Sequence, residues 1–562
     1  MTSSQLARRI VLYFPLFCAA LTSQASAQSP VWIRQLGTAG GEEGYALAPD
    51  GSGGVFLCGF TGDSLGGPSA GGADCLLARF DAAGNQTWLI QFGTDRDDWA
   101  RAVAPDGAGG VFVSGHTRGS LGGPSAGGLD VWLARFDPAG NQLWVRQFGT
   151  NFDEESSAAA ADGLGGVWVC GQTQGNLGGS NAGNGDAWLA RFDGSGNQSW
   201  IRQLGSNAFD SALAVAFDQA GGAFVGGKTR GELGGQNPNG SDDAWVAHYD
   251  GAGTQSWFRQ LGTSAFDGVS GLAVAGAGGV FLTGVTRGDL GGVSGGSYDA
   301  WVALYDSGGG QVWIRQFGTS GDDRSNAAAP DGLGGVYLGG YTDGALGGPN
   351  AGSADVWVAL FDSAGNRTWV NQYGSGSVDI ANAVASDAAG GVYALGATTG
   401  SLGGPHAGGS DVWLARDDRS LPTVRYCTPA ISNSTGQSAV LTAMGSNVVQ
   451  VNDVTLVASS LPANSLGLFL TSRDQGNVFP VSHSQGRLCV GGLIGRYIGP
   501  GQVKSSGAAG MFSLALDLTN MAHPFSPVTA QPGHTWYFQA WFRDANPSAT
   551  SNFTDAVGVT FL

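Results

Sequence analysis

Two series of carboxylates recur along this chain, with seven members each. One runs Glu42, Asp98, Glu154, Asp210, Asp267, Asp323 and Asp379; the other runs Asp74, Asp130, Asp186, Asp243, Asp299, Asp355 and Asp411. Paired carboxylates with loop carbonyls are the donor set of a calcium site, so calcium is the one cofactor these residues bring to mind. A scaffold role fits better. A carboxylate at a strand start accepts hydrogen bonds from the N–H groups of a Gly-rich loop, and a role repeated in every unit is structural. The uniform threonine of each G-x-T (Thr61, Thr117, Thr173, Thr229, Thr286, Thr342, Thr398) reads the same way. So does the uniform glutamine (Gln35, Gln91, Gln147, Gln203, Gln260, Gln316, Gln372), expected to bridge neighbouring strands.

Positions that vary inside a uniform array point more directly to binding. The residue inside G-x-T is Phe60, His116, Gln172, Lys228, Val285, Tyr341 and Ala397. The residue after that threonine is Gly62, Arg118, Gln174, Arg230, Arg287, Asp343 and Thr399. The expected ligand-binding set is Phe60, His116, Gln172, Lys228 and Tyr341 with Arg118, Arg230 and Arg287. They would form a polar and aromatic ring for a glycan or peptide. Catalytic constellations are hard to find. The six histidines (His116, His248, His406, His483, His523, His534) follow no pattern, and no G-x-S-x-G elbow or zinc spacing occurs. No catalytic residue or metal ligand is assigned. The repeated arginines Arg34, Arg146, Arg202, Arg259 and Arg315 read as stems packed beside tryptophan.

The elements that hold these positions follow from the period. Trp32, Trp88, Trp144, Trp200, Trp257, Trp313 and Trp369 are separated by 56 residues, once by 57. Such periods mark stacked supersecondary units. Within the second unit, ARAVA (100–104), GVFVSG (110–115), DVWLARF (130–136) and LWVRQF (143–148) read as four short strands with turn residues between them. Seven four-stranded antiparallel sheets around an axis make a seven-bladed β-propeller. Small residues fill alternate positions of each first strand (Ala46, Ala48; Ala102, Ala104). Tryptophan loads the third and fourth, which orders the strands from axis to rim. The chain enters the array on a fourth strand, VWIRQL (31–36), and leaves it on a third, DVWLA (411–415). The N-terminal strand is therefore expected to complete the seventh blade and remove its open edge. The long loops and the crossovers between blades should share one face, the default binding surface.

These repeats resemble the bacterial seven-bladed propeller repeat family often called SBBP repeats. The resemblance covers roughly Val31 to Asp418. It is carried by G-G-V-[FWY], by L-G-G in the long loop, by D-x-W-[LV]-A, and by turns such as DPAGNQLWVRQFGT (137–150). It implies a secreted propeller and no particular activity.

The ends and composition complete the reading. Arg8 and Arg9, an apolar run from Ile10 to Leu21, and Ala25-Ser26-Ala27 read as an export signal over 1–27. Its loss would take the net charge from −18 to −20. That acidity disfavours nucleic acid and anionic membrane as partners, and no segment is long enough to span a bilayer. Domains are expected at 28–418 (propeller), 419–425 (linker) and 426–562 (β-sandwich). Cys58 with Cys75, and Cys427 with Cys489, are the expected disulfides in an oxidising compartment; Cys170 reads as a small buried apolar residue. The leading function is a secreted, periplasmic or cell-surface recognition or scaffold protein, non-catalytic, binding an extracellular glycan or protein through the long-loop face. The rivals are an extracellular polysaccharide hydrolase or lyase and a structural envelope or matrix protein.

Overall fold

The computed structural model describes residues 30–562 apart from 234–240, 333, 388–389, 418–422, 446–448, 450–451, 453, 532, 546–548 and 562. The expected export signal lies outside these residues. The described chain is nearly all β, and no helix in it is long and apolar enough to cross a membrane.

Seven four-stranded antiparallel sheets follow one another. Blade 1 consists of Glu42–Pro49, Val55–Thr61, Asp74–Phe80 and Gln86–Phe92, paired in that order from inside to outside. Blades 2 to 6 repeat it over 98–148, 154–204, 210–261, 267–317 and 323–373. Blade 7 takes Asp379–Ser386, Val392–Thr398 and Asp411–Asp417 from the end of the array and Trp32–Leu36 from the start. Trp32 faces Arg416 and Gln35 faces Trp413 in an antiparallel ladder, so the expected clasp is present. Each inner strand packs against the inner strands of both neighbours, and Glu42–Pro49 packs on Asp379–Ser386, which closes the ring into a propeller.

Burial explains the composition of each strand. The second and third strands lie between two other blades, so both of their faces are apolar: six of the seven residues in Val55–Thr61 and in Asp74–Phe80 are buried. Trp132, Trp188, Trp245, Trp301, Trp357 and Trp413 of the third strands are fully buried between blades. Among the described residues, six of the seven outer-strand tryptophans reach the next blade. The Trp32 indole N–H donates to the Ala82 carbonyl (3.3 Å), Trp88 to Pro138 (3.1 Å), Trp144 to Gly194 (3.1 Å) and Trp257 to Ser307 (3.0 Å). The ring of each of these six lies on the turn glycine of that next blade. At Gly84 the backbone takes φ +78°, and a Cβ would sit 2.7 Å from the Trp32 ring, so only glycine fits on both counts. As the sequence implied, an arginine two residues further along stacks on the same indole: Arg34 on Trp32 (5.3 Å), Arg146 on Trp144 (5.5 Å) and Arg202 on Trp200 (5.2 Å).

The C-terminal part is a β-sandwich. One sheet orders Thr423–Tyr426, Ala549–Thr560, Thr535–Ala545, Leu466–Ser472 and Gly495–Arg496; the other holds Val440–Gly445, Val454–Ser459 and Phe512–Leu516. Leu441, Leu456 and Leu514 of the second sheet share a core with Phe469, Trp536, Phe538 and Val557 of the first. The last three residues of the expected linker, Thr423 to Arg425, are thus strand residues. Trp536 enters this core, whereas Trp541 packs with Leu470, Val490 and Phe553 on the opposite side. Cys427 and Cys489 are joined as expected.

The other expected disulfide is not formed. Cys58 and Cys75 are buried free thiols. Cys58 stands opposite Leu77 and Cys75 opposite Phe60, so the two are diagonal rather than facing neighbours. Diagonal partners lie about 7–8 Å apart, beyond the roughly 4.4–6.8 Å that a disulfide spans. Burial pushes the Cys58 thiol up to about 12 and does the same to Cys170.

The clasp strand also joins the side-chain scaffold of blade 7. Gln35 donates to Asp411 (2.6 Å) and to the Gly400 carbonyl (2.9 Å), and accepts from the Leu402 N–H (2.9 Å). Gln35→Leu leaves those groups unpaired at about 1–3 kcal/mol for each one buried. Calorimetry is expected to show a lower Tm. A variant that melts with the parent chain would contradict the clasp.

Candidate functional site

The long-loop face is assembled by backbone pairing between crossover and loop. Arg118 N–H donates to Asp97 O (3.0 Å), Arg230 to Phe209 (3.0 Å), Arg287 to Phe266 (2.8 Å) and Asp343 to Asp322 (2.9 Å). The first residue of each long loop is thereby fixed to the last residue of the crossover, as the repeat implied. Beside this pairing lie the two acid series. Glu154 accepts from the Thr150 N–H (2.5 Å), the Thr150 hydroxyl (2.7 Å) and the Thr173 hydroxyl (2.8 Å); Asp323 makes the same contacts with Thr319 and Thr342. The second series works with the uniform glutamine. Asp130 Oδ2 accepts from Ala126 N–H (2.8 Å) and from Gln147 (2.9 Å), and Gln147 Oε1 accepts from the Leu121 and Gly122 N–H groups of the loop. The other oxygen, Oδ1, has no hydrogen-bond donor in any of the seven. It abuts the glycine that ends the outer strand: a Cβ on Gly149 would lie 2.1 Å from Asp130 Oδ1.

The carboxylates are therefore tied to loop, threonine and glutamine donors, which is the scaffold role. Among the described residues, no group of three or more His, Cys, Asp or Glu is arranged to hold a metal ion. Burial raises Asp98, Asp210, Asp267 and Asp323 above the usual carboxylate range, against the hydroxyl and N–H bonds that lower them.

The variable residues separate into four places. Four of the eight candidates join one arc across blades 4 to 6. Lys228 pairs with Asp242 (3.1 Å) and lies over the Phe266 ring (5.4 Å); Arg230 pairs with the same Asp242 (2.5 Å) and lies over Phe209 (5.9 Å). Phe266 meets Tyr298 edge-on, the centroids being 5.9 Å apart. Arg287 and Arg324 each stack on Tyr298 at 4.2 Å, and Arg324 continues to Tyr341 at 5.7 Å. A second cluster bridges blades 1 and 2. Phe60 stacks on Tyr45 (5.8 Å), Arg101 lies on the same Tyr45 ring (3.9 Å), and His116 packs on Trp99 (5.1 Å). Third, exposed Arg118 lines a cavity of about 400 Å³ with Thr94, Asp95, Arg96 and Ser120. Gln172 stands half-buried opposite Glu155 in blade 3. Small side chains at Val285 and Ala397 interrupt the expected ring, so the polar and aromatic surface is an arc and a separate cluster.

Two features escaped the sequence reading. Every inner strand carries a bulge at its third or fourth residue, leaving Tyr45, Arg101, Ser157, Leu213, Ser270, Asn326 and Asn382 outside the ladder. A bulge re-aims a side chain, and these reach neighbouring inner strands: Asn326 donates to Ala381 O (2.9 Å) and Asn382 to Gly44 O (2.9 Å). The varied residue types at this slot were the available signal. The second is an ion pair on the hairpin face. Arg79, Arg135 and Arg191 fork onto Asp50, Asp106 and Asp162, always 29 residues apart, and His248 replaces arginine opposite Asp218. That constant spacing was legible.

No known family model matches the chain. A stretch of 170 residues is 28% identical to Regulatory protein FlaEY of Caulobacter vibrioides, covering 27% of this chain and 18% of that protein. Solved structures with a similar arrangement include YCF48 bound to D1 peptide (10% identity, TM-score 0.36, 70% of this chain and 98% of that one). Others are the Hadza microbial sialidase Hz136 (9%, 0.33, 68% and 65%) and the PQQ-bound Aldose Sugar Dehydrogenase from Streptomyces coelicolor (13%, 0.32, 57% and 94%). The seven blades rest on this chain's own strand pairing and ring closure.

His116 yields a pH dependence. Burial first, and then Arg101 and Arg118, push its imidazole down to about 3 from 6.5. Below pH 6.5 the unfolded chain takes a proton that the folded chain refuses until about pH 3, so stability is lost as the pH falls through that window. The slope from this one group approaches about 1.4 kcal/mol per pH unit. Phe60 occupies the same slot in blade 1, so His116→Phe keeps an aromatic ring there. Urea midpoints between pH 7 and pH 4 are expected to fall less steeply in the variant; parallel curves would contradict it. Because the repeated carboxylates already have protein donors, melting curves in EDTA and in calcium are expected to coincide, since an ion bound to the folded state would raise Tm by mass action.

Proposed function

We propose that the chain is an extracellular recognition module, non-catalytic, that binds a glycan or a protein through the long-loop face of its propeller. The observation that supports this most is the arc over blades 4 to 6. Lys228, Phe266, Tyr298, Arg324 and Tyr341 come from three separate repeats, yet each touches the next. They are half-buried, and Arg230 and Arg287 beside them are exposed. A rigid row of aromatic rings and guanidinium groups, held by paired strands, offers contact area at low entropic cost. The repeated acids of the same face are engaged in the scaffold, which favours binding over carboxylate-pair catalysis. The Cys427–Cys489 bridge accords with an oxidising compartment outside the cytosol.

A glycan array probed with the purified chain, with and without chelator, tests the reading. Retention of an extracellular glycan class is expected, weakened about tenfold or more by Lys228→Ala with Phe266→Ala. Release of new reducing ends from a bound polysaccharide would replace recognition by hydrolysis. Retention indifferent to both substitutions would place the contact elsewhere.

A further inference from the structure

We infer that the Arg287–Tyr298–Arg324 stack is a subsite for the anionic group of an acidic polysaccharide, an inference that rests on the recognition reading above. Two guanidinium groups flank one phenol ring, each 4.2 Å from its centroid. Like charges held against the same ring repel each other, so the arrangement gains from an anion that both can reach. The pairing around them is incomplete. Among the described residues Arg287 has no carboxylate partner within 4.0 Å. Arg324 has Asp322, with Nη2 3.6 Å from Oδ2, beyond hydrogen-bond reach. Its Nε is buried and has no hydrogen-bond partner. Scaffold arginines of this chain differ: Nε of Arg34, Arg202 and Arg259 donates to a turn carbonyl at 2.8 to 3.0 Å.

A guanidinium presents a planar fork of donors that matches a carboxylate or sulfate bidentately. Arg324 is pre-positioned for that task, because its guanidinium packs on two rings, Tyr298 and Tyr341. The surroundings favour a polysaccharide over an acidic peptide. Peptides commonly add to a free strand edge, whereas the second strands that carry Lys228 and Tyr341 and lead into Arg287 are paired on both sides, as Val280–Thr286 is between Asp267–Val274 and Asp299–Tyr305. The unpaired edge of Asp323–Pro330, which carries Arg324, packs against the inner strands of the two neighbouring blades. Phe266 and Phe209 supply apolar faces further along, next to Lys228 and Arg230, at a spacing that follows the blades. The net charge of −18 repels polyanions in general, so retention of one reports a local site.

Affinity electrophoresis and calorimetry with polygalacturonate, dextran sulfate, neutral dextran and polyglutamate test the assignment. Polygalacturonate or dextran sulfate is expected to bind the parent chain, and whichever is tighter identifies carboxylate or sulfate as the preferred group. Arg287→Gln with Arg324→Gln is expected to weaken that binding about tenfold or more. Arg324→Lys, which keeps the charge and loses the fork, is expected to weaken it as well. Arg496→Gln with Arg543→Gln, the same loss of two charges on the sandwich, should leave it unaltered. Equal loss in the sandwich pair and in Arg287→Gln with Arg324→Gln would reduce the effect to net charge and overturn the subsite. Tighter binding of polyglutamate would overturn the polysaccharide in favour of an acidic peptide. Absence of polyanion binding, while a neutral glycan on the array still depends on Lys228 and Phe266, would overturn the anionic subsite and leave the recognition reading intact. Thermal melting of each variant separates lost binding from lost fold.

Discussion

An indole that crosses a blade boundary is the contact on which this architecture depends. A four-stranded sheet of about seven residues per strand cannot bury both of its faces alone. The outer-strand tryptophan solves this by donating to a carbonyl in the next blade's turn while its ring covers the turn glycine. The requirement is reciprocal. Gly84 is held at positive φ under Trp32, and a side chain there would lift the indole off the carbonyl it needs. The stacked arginine then closes the outer side of the same joint.

Once the joints are set, the opposite end of each blade follows. In five of the seven blades the acid that starts the inner strand is enclosed by a hydroxyl from the preceding crossover and one from the second strand. The acid that starts every third strand accepts from the uniform glutamine, and among the described residues six of the seven also accept from a loop N–H. These bonds fix the crossover and the long loop against each other without using the residues that alternate with them. The alternating residues are free to differ, and in blades 4 to 6 they have become mutually touching aromatic and cationic groups.

Much of this was legible in the sequence, for a physical reason. A period of 56 residues repeated seven times exposes both burial and turn chemistry many times over, so the ring, the strand order and the clasp at Trp32–Leu36 could be read directly. Contacts between different slots were less legible. Cys58 and Cys75 belong to neighbouring strands, yet a two-residue offset decides whether two sulfurs can meet, and register is not visible in composition. His116 shares a slot with Lys228 but is covered by Trp99, whose slot is filled by Ser211 in blade 4. Tyr298 and Arg324 were missed because each is unusual only relative to its own repeat.

The clasp also sets a timetable. Gln35 and Asp411, which hydrogen-bond in the finished ring, are 376 residues apart. At a synthesis rate of about 5–20 residues per second, the opening strand waits roughly 20–75 s for its partner. Through that interval six blades can stack while a tryptophan-bearing edge stays unmatched at each end of the row. Whatever keeps those edges from pairing with a neighbouring chain acts during biogenesis, before any ring exists.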